Sequence, residues 1–106
     1  MMKRFALVMA LSLATSAHAE EVADVWKAKC KSCHGEDGKA KTKMGQKESI
    51  DDFSSPAWQK AESDAEIRQV IAEGSSRNAK MKAFKDKLTP EQIDALVGYI
   101  RTMKAK

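Results

Sequence analysis

Cys30, Lys31, Ser32, Cys33 and His34 place both cysteines of a 106-residue chain, and one of its two histidines, in five consecutive positions. No other feature limits the fold so sharply. Two thiols and an imidazole this close together can form a redox pair, supply part of a metal site, or anchor a prosthetic group. The rest of the sequence has to discriminate among these.

The amino terminus sets the compartment. A positive MMKR is followed by an apolar stretch over residues 5–14 and by the small-x-small triplet Ala17, His18, Ala19, which is the order of a secretory signal. The apolar run falls well short of the roughly 20 residues that span a bilayer. The expected organisation is therefore a cleaved signal peptide, residues 1–19, and one domain, residues 20–106, exported to the periplasm with no transmembrane segment after cleavage. Cleavage leaves 87 residues with His34 as the sole imidazole, and the loss of Lys3 and Arg4 lowers the formal charge from +4 to +2. So small a net charge does not suit a general polyanion binder, and no nucleic acid is expected.

Three helices are legible, and strand signals are nearly absent. The first covers about residues 23–30, with Val22, Val25, Trp26 and Cys30 at helical spacing. The second opens on the capping box of Ser63 and Glu66, buries Ile67, Val70 and Ile71, and stops near Gly74. The third opens on Thr89, Pro90 and Gln92 and carries the stripe Ile93, Leu96, Val97, Ile100 and Met103. Long polar connections, residues 35–62 and 75–88, separate them. Loops of that length in a compact domain are organised by something functional. A dozen or so large apolar side chains make a thin core for 87 residues. A large apolar cofactor would complete it.

A closed zinc site needs four ligands of the Cys or His type, and the exported chain has three, crowded together. A thioredoxin-type pair needs a neighbouring sheet, and no strands are read here. A disulfide closing so short a loop would restrain little of the unfolded chain. Haem attachment needs what is present. Thiols three apart on a helical turn project from one side and can add to the two vinyl groups of a porphyrin edge. His34 then stands over the iron as an axial ligand. Of the methionines left after cleavage, Met103 belongs to a core stripe, while Met44 and Met81 both remain within reach of the second axial position.

From Val22 onward the chain resembles the class I c-type cytochromes, in particular small monohaem bacterial ones. The stretches that carry the resemblance are CKSCH, GEDGK, DFSSPAWQKAESDAEIRQVI, KMKAF and LTPEQIDALVGYIRTM. It implies an all-α cytochrome c fold, about three to four helices around one covalently attached haem c. It also implies thioether bonds at Cys30 and Cys33, iron ligation by His34 and Met81, and packing of Trp26 against Tyr99 or its neighbours. Trp58 is expected near a haem propionate. Related proteins often have proline where this chain has Lys82, Gly-Pro where it has Gly45 and Gln46, and glycine where it has Val22. The first departure implies a less rigid Met81 loop; the second alters the segment whose carbonyl would accept from the His34 imidazole.

The expected function is one-electron transfer through haem with His/Met ligation, with no catalytic residue and no enzymatic substrate. The alternative is an open or displaceable distal site that reacts with peroxide or senses a gas. Residues 27–47 carry a net +5 and residues 76–90 a net +4, separated by −5 over residues 48–75. Lys27, Lys29, Lys31, Lys80, Lys82, Lys85 and Lys87 would then rim the haem edge and steer a redox protein with an acidic docking surface. The carrier is expected to be a monomer.

Overall fold

A computed structural model describes the backbone of residues 14–105 and the side chains of residues 21–105. Six helices and no strand occur among the described residues: α1 (Ala14–Lys29), α2 (Lys31–His34), α3 (Lys43–Lys47), α4 (Pro56–Ala61), α5 (Asp64–Glu73) and α6 (Pro90–Arg101). The expected signal segment lies outside the described residues as far as position 13. From Ala14 its backbone is the start of α1, so the first helix begins well before the expected residue 23. No glycine or proline interrupts this stretch to stop it.

The capping signals of α5 and α6 operate as their sequences imply. Ser63 Oγ accepts from the Glu66 amide while the Glu66 carboxylate accepts from the Ser63 amide, and Thr89 and Gln92 repeat the arrangement with Pro90 in the first turn. Gly74 ends α5 at φ +86°, a conformation that costs a residue with a Cβ. The long connection of residues 35–62 is not structureless. It contains α3, capped by Thr42, and α4, capped by Ser55 with Pro56 at the first turn.

The core lies between α1, α5 and α6. Trp26 and Leu96 are each 1% exposed, and Ile67, Ile71, Ala72, Leu88, Ile93, Val97 and Ile100 complete the cluster. Trp26 meets Tyr99 with ring centroids 5.5 Å apart, as expected for the crossing of the first and last helices. Val70, expected in the buried stripe of α5, is 40% exposed instead, and Ala72 is buried on that helix. Met103 lies beyond the end of α6, half-buried, with its sulfur packed against Gly38.

Polar side chains join the connection to the last helix. Buried Gln59 donates through Nε2 to the carbonyls of Phe53 (2.7 Å) and Ile100 (2.9 Å). The Arg101 guanidinium donates to the carbonyls of Gln59 and Glu62, both at 2.6 Å, and to Asp64 at 2.7 Å. Four of these bonds go to main-chain carbonyls and one to the Asp64 carboxylate, so residues 53–64 are held against α6 at fixed register.

Candidate haem-binding site

The pentapeptide sits where α1 gives way to α2. The Cys30 amide still bonds to the Trp26 carbonyl at 2.9 Å, and the His34 amide bonds to the Cys30 carbonyl at 3.0 Å. Cys30 and Cys33 thus stand one helical turn apart, both half-buried and both free thiols. Burial, and after it the neighbouring Cys33, pushes the Cys30 thiol up to about 11, so it stays protonated at neutral pH. Burial also lowers the pKa of His34, which favours the neutral imidazole.

The surroundings of His34 are aromatic and tightly connected. Phe53 stacks on its ring at 4.7 Å, Trp58 stacks on Phe53 at 4.4 Å, and Trp26 lies 5.9 Å from the imidazole. The Trp26 indole N–H donates to the buried Gly35 carbonyl at 2.9 Å, fixing the chain just after the histidine. On the other flank, the Thr42 hydroxyl donates to the Cys33 carbonyl at 2.6 Å and accepts from the Gly45 amide at 2.9 Å. Gly45 is required there. Any Cβ at that position would strike the carbonyls of Ala40 and Cys33. Phe53 and Thr42 escaped the sequence reading because their roles depend on a stack and a hydrogen bond across the fold. Only the Thr42 cap of α3 left a local trace.

The imidazole partner expected from the Gly45 segment is not there. The Gly45 carbonyl accepts from the Ile50 amide at 2.9 Å and the Gln46 carbonyl from the Ser49 amide at 3.3 Å, so the end of α3 occupies both. His34 Nδ1 is buried without a protein partner.

Met81 lies in the connection between α5 and α6, half-buried and packed against the core. The loop that carries it is pinned despite Lys82. The Met81 carbonyl accepts from the Ser75 amide and the Met81 amide donates to the Asn78 carbonyl, both at 3.1 Å. Just beyond, the Phe84 and Lys85 amides donate to the carbonyls of Ile71 (2.9 Å) and Ala72 (3.2 Å) on α5. These main-chain bonds restrain a loop that lacks the proline its relatives often have. Met44, the other open possibility, is 37% exposed on α3. Glu48, just past α3, accepts from Lys80 and from Asn78; these two bonds, in that order, hold its carboxyl below the usual range.

No three His, Cys, Asp or Glu side chains gather around a common point among the described residues. Residues 17–100 match the family model described as cytochrome c oxidase, cbb3-type, subunit III. The chain belongs to this family of c-type cytochromes. It is similar to the cbb3-type cytochrome c oxidase subunit FixP of Azorhizobium caulinodans, with 34% identity over 85 residues. The match covers 80% of this chain and 27% of FixP, so the chain spans about a quarter of that relative's length. It is also similar to the solved KustC0563 c-type cytochrome, with 37% identity, a TM-score of 0.71, and 78% of this chain covering 96% of that one. The all-α fold is thus that of a class I c-type cytochrome, a family whose members carry haem c and transfer electrons.

The residues present fit that cofactor. A cytochrome c needs two thiols free to form thioethers and an imidazole not used up by the protein. Cys30 and Cys33 are unpaired, and His34 is neutral, walled by aromatic rings, and unbonded at its buried nitrogen.

Proposed function

We propose that this cytochrome is an exported one-electron carrier, cleaved after Ala19 and working in the periplasm, with one haem c attached through Cys30 and Cys33. The match to the family begins at residue 17, which supports reading the preceding residues as a leader. The Cys30 and Cys33 thiols each add across a vinyl group, sulfur bonding to carbon and the thiol proton passing to the other vinyl carbon. His34 would hold the iron through an imidazole nitrogen, and Met81 would hold it through its thioether sulfur. Bound haem provides an iron that gains and loses one electron. The chain's part is to keep both axial ligands in place and to exclude water, so no substrate bond is made or broken and no catalytic residue is required.

The observation that supports this reading is an attachment motif whose thiols are unpaired and whose imidazole has no protein partner at its buried nitrogen. Two measurements test it. Acid and organic extraction of denatured holoprotein should leave the pigment on the polypeptide, with the mass of one haem added per chain. The ferric protein should show thioether-to-iron charge-transfer absorption that Met81→Ala abolishes and Met44→Ala leaves unchanged. Retention of the band in Met81→Ala would overturn the ligand assignment, and its absence from the wild-type protein would favour the open distal site.

The partner side of the proposal is a redox protein with an acidic docking surface. Lys80 and Lys85 are paired with Glu48 and Glu73, so the steering charge falls mainly to exposed Lys27, Lys29, Lys31, Lys82 and Lys87. Electrostatic steering of this kind makes encounter depend on ionic strength. Transfer rates that do not change with salt would exclude it.

A further inference from the structure

Two basic segments flank the site, and one carboxylate stands between them. Glu48 follows α3, and its side chain is only 16% exposed. One oxygen accepts from Asn78 Nδ2 at 2.9 Å and the other pairs with the Lys80 ammonium. No other hydrogen bond joins residues 43–50 to residues 75–87 among the described residues.

Each end of this bridge continues into an axial-ligand segment. Behind Glu48, α3 is tied to the attachment motif through Thr42, whose hydroxyl donates to the Cys33 carbonyl, and the Ala40 amide donates to the His34 carbonyl at 2.9 Å. Ahead of it, Asn78 organises the Met81 turn. Its side-chain oxygen accepts from the Lys80 amide at 2.9 Å, its carbonyl accepts from the Met81 amide, and its own amide donates to Ser75 Oγ at 3.3 Å. The strap therefore runs from Cys33 and His34 through Thr42, α3, Glu48 and Asn78 to Met81. The Glu48 carboxylate also feels the charges of Lys80 in the Met81 loop and of Lys47 on α3, so it offsets positive charge from both segments.

We propose that Glu48 is a positioning residue for Met81: its carboxylate latches the loop of residues 75–81 to α3 and sets how firmly Met81 resists displacement by an outside ligand. This rests on Met81 being the distal ligand. The latch supplies, between segments about thirty residues apart, restraint that Lys82 cannot provide as a proline could.

The test is an imidazole titration of ferric holoprotein, read from the thioether-to-iron charge-transfer absorption. In Glu48→Ala the concentration that displaces half of the Met81 should fall about tenfold, the fold-change of one partly shielded charged hydrogen bond. Lys80→Met, which removes one bond and leaves Asn78 in place, should shift it the same way by less. Glu73→Ala breaks the exposed Lys85 pair elsewhere in the same connection and should not move it. Midpoints for Glu48→Ala and Lys80→Met within about twofold of Glu73→Ala would overturn the latch. If wild type and Met44→Ala show the band and Met81→Ala does not, that result touches the latch alone. A wild-type protein without the band overturns the distal assignment and the latch together.

Discussion

Replacing Trp26 with phenylalanine isolates one buried hydrogen bond beside His34. The side chain is 1% exposed, and its indole N–H reaches the buried Gly35 carbonyl at 2.9 Å. Phenylalanine preserves most of the contact with Tyr99 and Phe53 but has no donor. The carbonyl then keeps only the long 3.4 Å bond from the Gly38 amide, and a buried carbonyl that loses its main donor costs about 1–3 kcal/mol. The smaller ring adds about 1 kcal/mol of lost packing, well below the 3–5 kcal/mol of complete truncation. The expected loss is thus about 2–4 kcal/mol, which in a domain of this size lowers Tm by roughly 10–20 °C. Urea unfolding of the holoprotein, followed by far-ultraviolet circular dichroism, measures it, with Trp58→Phe as the internal comparison. Trp58 is half-buried and stacked on one ring, so its loss should cost less than about 1 kcal/mol. Equal costs for the two variants, within about 0.5 kcal/mol, would refute the assignment of Trp26 as the donor that fixes the chain after His34.

Gln59→Leu removes the side-chain donor from the Phe53 and Ile100 carbonyls, the second of which keeps the Met103 amide, and should destabilise by about 2 kcal/mol in the same assay. Thr89→Ala removes the cap of α6 and should cost about 1 kcal/mol, with the visible spectrum unchanged because no haem ligand is on that helix. Asp52 accepts from the Ser54 hydroxyl at 2.6 Å and its amide at 2.8 Å, and these bonds hold its carboxyl below the ordinary range. A lowered folded-state pKa stabilises above the unfolded value, about 3.9, and the gain is lost as pH falls through the folded value. Asp52→Asn should therefore lower the urea midpoint at neutral pH and converge with wild type in acid. A difference that grew on acidification would contradict this sign.

How much of this was legible in advance varies along the chain. Capping residues act over three or four positions, so the starts of α5 and α6 could be read directly from Ser63, Glu66, Thr89 and Gln92. The same local logic was available for Thr42 and Ser55, but the helices they start, of 5 and 6 residues, are too short to show a periodic stripe. Periodicity also misassigned Val70, since a stripe specifies a face and not how far its edge is covered.

The chain's order of residues settled the chemistry available to it: two thiols one turn apart, an imidazole adjoining the second, and three helices with too few apolar side chains to enclose a full core. These are local properties, carried by covalent spacing and backbone preference. The tertiary structure decided who faces whom. It placed Phe53 on His34, gave the Gly45 and Gln46 carbonyls to α3 rather than to the imidazole, and joined Glu48 to a loop about thirty residues away. Such pairings arise when distant segments close on one another, and no short-range pattern records which partner each polar group will meet.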